Sequence, residues 1–100
     1  MNNLGQKLRE SRENQNLLLR QVAAFLEVDT ALISKVERGE RNLNRDQVIK
    51  LSLLLDISQE ELISLWLCDK IIGIVGAEKY ALQGMKKALK KLKTLTLNEK

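Results

Sequence analysis

The sequence predicts an all-α fold, and three observations carry that expectation. Proline is absent from the 100 residues. Hydrophobic residues make up 44% of the chain, yet only Phe25, Trp66 and Tyr80 are aromatic. Such an aliphatic mix favours helices over strands. Apolar residues recur at helical spacing along most of the chain, and no alternating run is longer than Leu95-Thr96-Leu97.

Six helices follow in order. The first is expected from Asn3 to Asn14, with Leu4 and Leu8 inward and Lys7, Arg9, Glu10 and Glu13 outward. The polar run Glu13-Asn14-Gln15-Asn16 ends it. The second runs from Leu18 to Leu26, with Val22, Ala23 and Leu26 as its inner stripe. The third has Asp29 as N-cap and continues to Glu37, with Leu32, Ile33 and Val36 inside. Arg38-Gly39 closes it, placing a glycine where a left-handed residue is wanted. The fourth spans Asn44 to Leu55, capped by Asn44 and carrying Val48, Leu51, Leu54 and Leu55. Ser58-Gln59-Glu60-Glu61 reads as a capping box opening the fifth, which reaches Ile72 or Val75. Gly73 and Gly76 punctuate the chain, and the sixth helix is expected from Ala77 to Lys93, with frayed residues beyond.

Composition excludes several classes of function. With no histidine and one cysteine, Cys68, a Cys/His zinc site cannot form within one chain, and a disulfide framework is excluded. A lone cysteine suits a reducing cytoplasm. In the apolar stretch Leu65-Trp66-Leu67-Cys68 it reads as a small core residue rather than a reactive thiol. The first residues lack the apolar segment of a signal peptide. No apolar run approaches the roughly 18 residues of a membrane helix. No phosphate-binding glycine loop and no paired nucleophile and base suggest an enzyme, and no cofactor is expected. Net charge is +4, but residues 1–75 carry ten Lys and Arg against eleven Asp and Glu, whereas residues 76–100 carry seven Lys against two Glu. The basic character therefore belongs to the tail, and a claim of nucleic-acid binding must rest on local pattern.

That pattern lies between Leu18 and Val36. Two short helices joined by a tight turn, with a third packed behind, let one helix project from the surface. A projecting helix fits the major groove of B-DNA. Ala23 is small where the two helices cross, and Val22, Leu26, Val28, Ile33 and Val36 supply apolar contacts. The outer face of the third helix is left as Asp29, Thr30, Ala31, Ser34 and Lys35, short or polar groups able to approach bases.

Leu17, Val22-Ala23, Leu26, Val28, the run Ile33-Ser34-Lys35-Val36-Glu37-Arg38-Gly39-Glu40-Arg41, and Val48, Leu51 and Leu55 together resemble the phage repressor and Cro type of helix-turn-helix regulator. The resemblance covers about residues 4–66, and Ile33 to Gly39 is its most specific segment. It implies a five-helix domain that binds palindromic double-stranded DNA as a homodimer. The positions implied to read bases are Thr30, Ala31, Ser34 and Lys35. Those implied to touch phosphate are Leu19, Arg38, Arg41, Asn42 and Arg45. Lys35 can donate to guanine O6 and N7, and Thr30 can donate, accept or touch a thymine methyl. The resemblance further implies an ion pair between Arg12 and Glu37. Departures are visible. Leu18 and Leu19 stand where a hydroxyl cap and a DNA-contacting glutamine are usual, with Arg20 the candidate to replace the phosphate contact. Glu27 holds the turn position usual for glycine, where a left-handed residue costs roughly 1 kcal/mol, so the turn is expected to differ slightly. Ala31 offers no hydrogen bond, which shifts weight toward phosphate contacts and DNA shape. Glu40 lies between Arg38 and Arg41 and is able to pair with one of them.

The domain division expected is residues 1–72 for the helix-turn-helix body and residues 73–100 for a basic amphipathic helix. Leu62, Ile63, Leu65, Trp66, Leu67, Ile71, Ile74 and Val75 cover more than one helix face, which suggests a second apolar contact. Helix six repeats Ala81, Met85, Ala88, Leu92 and Leu95 at spacings of four and three. Leu62, Trp66, Ile71, Met85, Leu89 and Leu92 are accordingly the expected dimerisation residues, with Trp66 open to either a core or an interface role. Lys86, Lys87, Lys90, Lys91 and Lys93 fit a solvated face, a second DNA-contacting arm, or a membrane-surface helix. The functional expectation is a sequence-specific DNA-binding regulator. The alternative is an antitoxin or controller protein that represses its own operon and binds a partner protein through its C-terminal part.

Overall fold

A computed structural model describes residues 3–98. Among them are six helices: α1 (Asn3–Asn14), α2 (Leu19–Leu26), α3 (Thr30–Glu37), α4 (Arg45–Leu55), α5 (Gln59–Val75) and α6 (Ala81–Asn98). The chain divides into two units, one ending at Lys70 and the other starting at Ile71.

In the first unit every helix contributes to one core. Leu4 and Leu8 come from α1, Val22, Ala23 and Leu26 from α2, and Ile33 and Val36 from α3. Val48, Leu51 and Leu55 of α4 join Leu62 of α5. Each fully buried aliphatic side chain contributes about 1.5–3 kcal/mol of gross hydrophobic stabilisation. Leu43, between α3 and α4, is also buried, and its carbonyl accepts the Trp66 indole N–H at 2.8 Å. That bond, together with packing on the core cluster, assigns Trp66 to the chain's own body. Leu62 is fully buried there too. It is therefore unavailable as a dimerisation residue, because no surface remains to meet a partner.

Left-handed residues end four segments of the unit: Asn16, Glu27, Gly39 and Asp56. After α2, the Glu27 N–H donates to Ala24 O at 3.2 Å and the Val28 N–H to Ala23 O at 3.0 Å. This doubly bonded stop uses carbonyls that the helix end leaves free. Glu27 takes φ 58° and ψ 46°, so the turn keeps a glycine-like left-handed form in spite of its side chain. The deviation expected from sequence does not occur, since the two backbone bonds hold the residue in place.

The helix starts are satisfied by different means. Asn44 Oδ1 accepts from Gln47 N at 2.8 Å while Gln47 Oε1 accepts from Asn44 N at 2.9 Å, a complete capping box. Leu18 N donates to Gln21 Oε1 at 2.7 Å, but a leucine cannot return the bond. Ser58 Oγ accepts from Glu61 N at 3.1 Å, whereas the Glu61 carboxylate lies 3.5 Å from Lys7 Nζ. Asp29 precedes α3 in extended conformation without a side-chain cap. The start of α1 is capped from afar: Asp69 of α5 accepts from Asn3 N at 3.0 Å and Leu4 N at 2.9 Å. A carboxylate there also complements the positive end of the helix dipole. Cys68 is half-buried, and its sulfur accepts from Asn3 Nδ2 at 3.5 Å.

The second unit comprises the last residues of α5 and the whole of α6. Among its described residues no side chain is buried, and Ile71, Ile72, Ile74, Leu89, Leu92 and Leu95 are exposed. The sixth helix starts at Ala81 rather than Ala77 and runs on through Leu95-Thr96-Leu97 to Asn98. The late start follows from a turn in which Glu78 N donates to Val75 O and Ala81 N to Glu78 O. The extension is supported by Thr94 and Thr96, whose hydroxyls donate to Lys90 O and Leu92 O one turn back. None of the described helices is long and apolar enough to cross a membrane.

Candidate nucleic-acid interface

Helix α3 buries one face and exposes the other. Ile33 and Val36 anchor it in the core, and Ala23 of α2, only 2% exposed, allows close approach at the crossing. Thr30, Ala31 and Lys35 are exposed on the opposite side, and Ser34 is half-buried at its edge. All four are short or flexible, so nothing bulky hinders approach of a DNA groove to this face.

The orientation of α3 is locked by an ion pair. Arg12 Nε donates to Glu37 Oε2 at 2.7 Å and Arg12 Nη2 to Glu37 Oε1 at 3.1 Å. The third side of the guanidinium donates to Leu17 O at 2.9 Å. Such a fork holds α1, the α1–α2 connection and the end of α3 in one geometry. The hydrogen bond to Glu37 raises the Arg12 pKa, against the opposing effect of burial.

A second guanidinium sits at the surface just past α3. Arg38 Nε donates to Glu40 Oε2 at 2.6 Å, and its Nη1 donates to Ser34 Oγ at 2.5 Å. The shared hydrogen bond raises the Arg38 pKa and lowers that of Glu40, which the neighbouring Lys35 charge lowers further. Of the acids and bases at this edge, Glu40 thus engages Arg38 rather than Arg41. Arg20, Lys35, Arg41, Asn42 and Arg45 are all exposed, and none of these four cations is paired with a described acid. Glu27, Asp29, Ala31, Lys35 and Arg41 line one shallow concavity beside the α2–α3 turn. Leu19 is half-buried and packs on the core, so only its backbone and part of its side chain remain at the surface.

Among the expected site residues, Thr30, Ala31, Ser34 and Lys35 thus share one surface of α3. Arg38 and Arg41 follow at its C-terminal end, and Arg45 opens α4. Of the expected dimerisation residues, Leu62 is internal and Trp66 is tied to Leu43. Ile71, Leu89 and Leu92 remain exposed, and Met85 is partly covered. Two contacts that shape the domain were not legible in advance. The Asp69 cap joins residues 65 positions apart and leaves no local signal. The bond from Arg38 to Ser34 spans one helical turn, and that spacing is its only trace in the sequence. No group of three or more described His, Cys, Asp or Glu residues is placed to hold a metal ion.

Comparison with known proteins places these features. Residues 3–65 match a family described as a helix-turn-helix domain. An uncharacterised HTH-type transcriptional regulator of Bacillus subtilis (strain 168), RghRB, is 35% identical over 65 residues, which is 64% of this chain and 47% of that protein. The chain therefore spans about half the length of this curated relative. The crystal structure of the restriction-modification controller protein C.AhdI from Aeromonas hydrophila is similar with a TM-score of 0.54 and 37% identity, over 59% of this chain and 89% of that one. A chain of the SinR protein/SinI protein complex matches 91% of this chain and 98% of its own with a TM-score of 0.54. At 21% identity that likeness concerns the fold alone.

Proposed function

Because the chain belongs to the helix-turn-helix domain family, we propose that it is a sequence-specific, double-stranded DNA-binding transcriptional regulator. The observation that carries the proposal is the exposed outer face of α3, flanked by unpaired cations. Lys35, Thr30 and Ser34 read base edges, and Ala31 lets the groove approach or meets a thymine methyl. Arg20, Arg38, Arg41, Asn42 and Arg45 bind phosphate, with Leu19 offering its backbone, and so fix register without reading sequence. Its task is binding rather than catalysis, in the cytoplasm.

Residues 1–72 form the DNA-binding domain and residues 73–100 the assembly element. The regulator acts as a homodimer, joined through Ile71, Leu89 and Leu92, which the chain itself leaves exposed, and through the partly covered Met85. Two copies of α3 then enter successive major grooves, about 34 Å apart. A second reading is favoured by one feature: α6 combines exposed leucines with five lysines and no acid. Such a surface suits a partner protein, as expected of a controller or antitoxin that represses its own operon.

Selection of bound duplexes from a random-sequence pool tests the reading. The expected result is an enriched site with two inverted half-sites centred about one helical turn apart. A bound fraction no different in sequence from the starting pool contradicts it.

A further inference from the structure

We propose that Glu40 is an internal competitor for DNA phosphate, occupying Arg38 in the free protein and thereby weakening backbone binding. The inference rests on the DNA-binding reading above. It begins with how the backbone stops α3. Gly39 takes φ 78°. Its N–H donates to Val36 O at 3.0 Å, and the Glu40 N–H donates to Lys35 O at 2.8 Å. These two bonds fix the Glu40 backbone at the end of the helix, and from there its carboxylate reaches Arg38.

The contact has the chemistry of the one it displaces. A guanidinium presents a planar fork that fits carboxylate and phosphate alike. Glu40 takes the Nε side of that fork and Ser34 the Nη1 side, which ties the charge to the edge of the base-reading face. About half of each side chain remains exposed, 51% for Arg38 and 55% for Glu40. An ion pair so exposed adds little to stability. Its principal effect falls on whatever else seeks Arg38. A phosphate approaching Arg38 must either displace the carboxylate or sit beside a second negative charge. In either case the Glu40 charge stays at the interface, so the pair brings less net positive charge to the phosphate and releases fewer counterions than a free arginine would. The loss applies to every sequence, since phosphates carry no base information. Glu40 therefore limits affinity on all duplexes and leaves base preference to α3. The contrast with Arg41 is direct: it too is exposed, and no described acid is paired with it.

The test compares the native chain with Glu40→Gln, Arg38→Gln and the double variant. Binding to a mixed-sequence 30-base-pair duplex and to a selected duplex is followed by fluorescence anisotropy between 50 and 200 mM salt. Glu40→Gln is expected to tighten binding to both duplexes. It should also steepen the slope of log K against log salt by about 0.9, the value for one added phosphate contact. Its advantage should then shrink about 3.5-fold across that salt range. In the Arg38→Gln background the same change should leave the slope unaltered. Because both side chains are exposed and the backbone bonds of Glu40 persist, circular dichroism should show native helix content in each variant. An unchanged slope for Glu40→Gln overturns the proposal. So does a steepening that persists without Arg38, which would make Glu40 a general surface charge. If neither the native chain nor any variant binds either duplex, the DNA-binding reading falls, and this inference with it.

Discussion

Removing Arg12 should destabilise the domain more than any surface change. The guanidinium makes three bonds, two to Glu37 and one to Leu17 O. Its side chain is 13% exposed and that of Glu37 is 6% exposed. In Arg12→Ala the Glu37 carboxylate stays buried with no partner, a loss worth roughly 3–5 kcal/mol when one member of a buried pair is deleted. The orphaned Leu17 carbonyl adds about 1 kcal/mol. A folded unit of this size has only about 4–10 kcal/mol to lose, at roughly 0.05–0.15 kcal/mol per residue. Urea unfolding followed by the fluorescence of Trp66, the chain's one tryptophan, measures the change. Glu37→Gln should cost less, because an amide oxygen still accepts from Arg12. Arg12→Met combined with Glu37→Leu should recover much of the loss, since an apolar pair removes the desolvation problem. If Arg12→Ala shifted stability by less than about 1 kcal/mol, the pair would be behaving as a solvated surface contact. The reasoning from burial would then be refuted.

Three further outcomes are expected. Glu27→Gly should raise stability by up to about 1 kcal/mol, the left-handed cost of roughly 1–2 kcal/mol less the extra unfolded-state entropy of glycine. The corresponding rise in melting temperature is several degrees, and a fall would show that the side chain contributes a contact of its own. Asp69→Ala should cost about 0.5–2 kcal/mol by freeing the Asn3 and Leu4 amides, read as faster hydrogen exchange at the start of α1; unchanged exchange there would deny the cap. Leu89→Glu combined with Leu92→Glu should yield monomers in sedimentation without loss of helix content, while persistent dimers would move the assembly surface away from α6.

The helices of the first unit were legible because each has local punctuation. Leu4 and Leu8 set the inward face of α1, Asn44 announces α4 and Ser58 announces α5. The exposed face of α3 was legible for the same reason: Ile33 and Val36 at helical spacing leave Thr30, Ala31 and Lys35 outside. What the sequence withheld falls into two kinds. Contacts between distant residues, such as Asp69 with α1 or Trp66 with Leu43, have no periodicity to betray them. Competing choices among neighbours were open as well. Glu40 has arginines on both sides, and the sequence does not say that it pairs with Arg38. Leu62 illustrates a related limit, since an over-wide apolar face does not say which of its residues the core takes. The end of α6 lies beyond Lys93, where frayed residues are expected at a terminus, because the Thr94 and Thr96 hydroxyls bond back into the helix.

On the proposed reading, α3 reads DNA sequence while the arginines around it hold the backbone. A salt titration of Lys35→Ala and Arg41→Ala on a selected duplex and on a scrambled one tests it most directly. Lys35→Ala should lose about 1–3 kcal/mol on the selected duplex, with relaxed preference at one base position and little change on the scrambled one. Arg41→Ala should weaken both duplexes alike and flatten the salt slope by about one unit. If Lys35→Ala left the ratio between the two duplexes untouched, α3 would not be the element that reads the sequence.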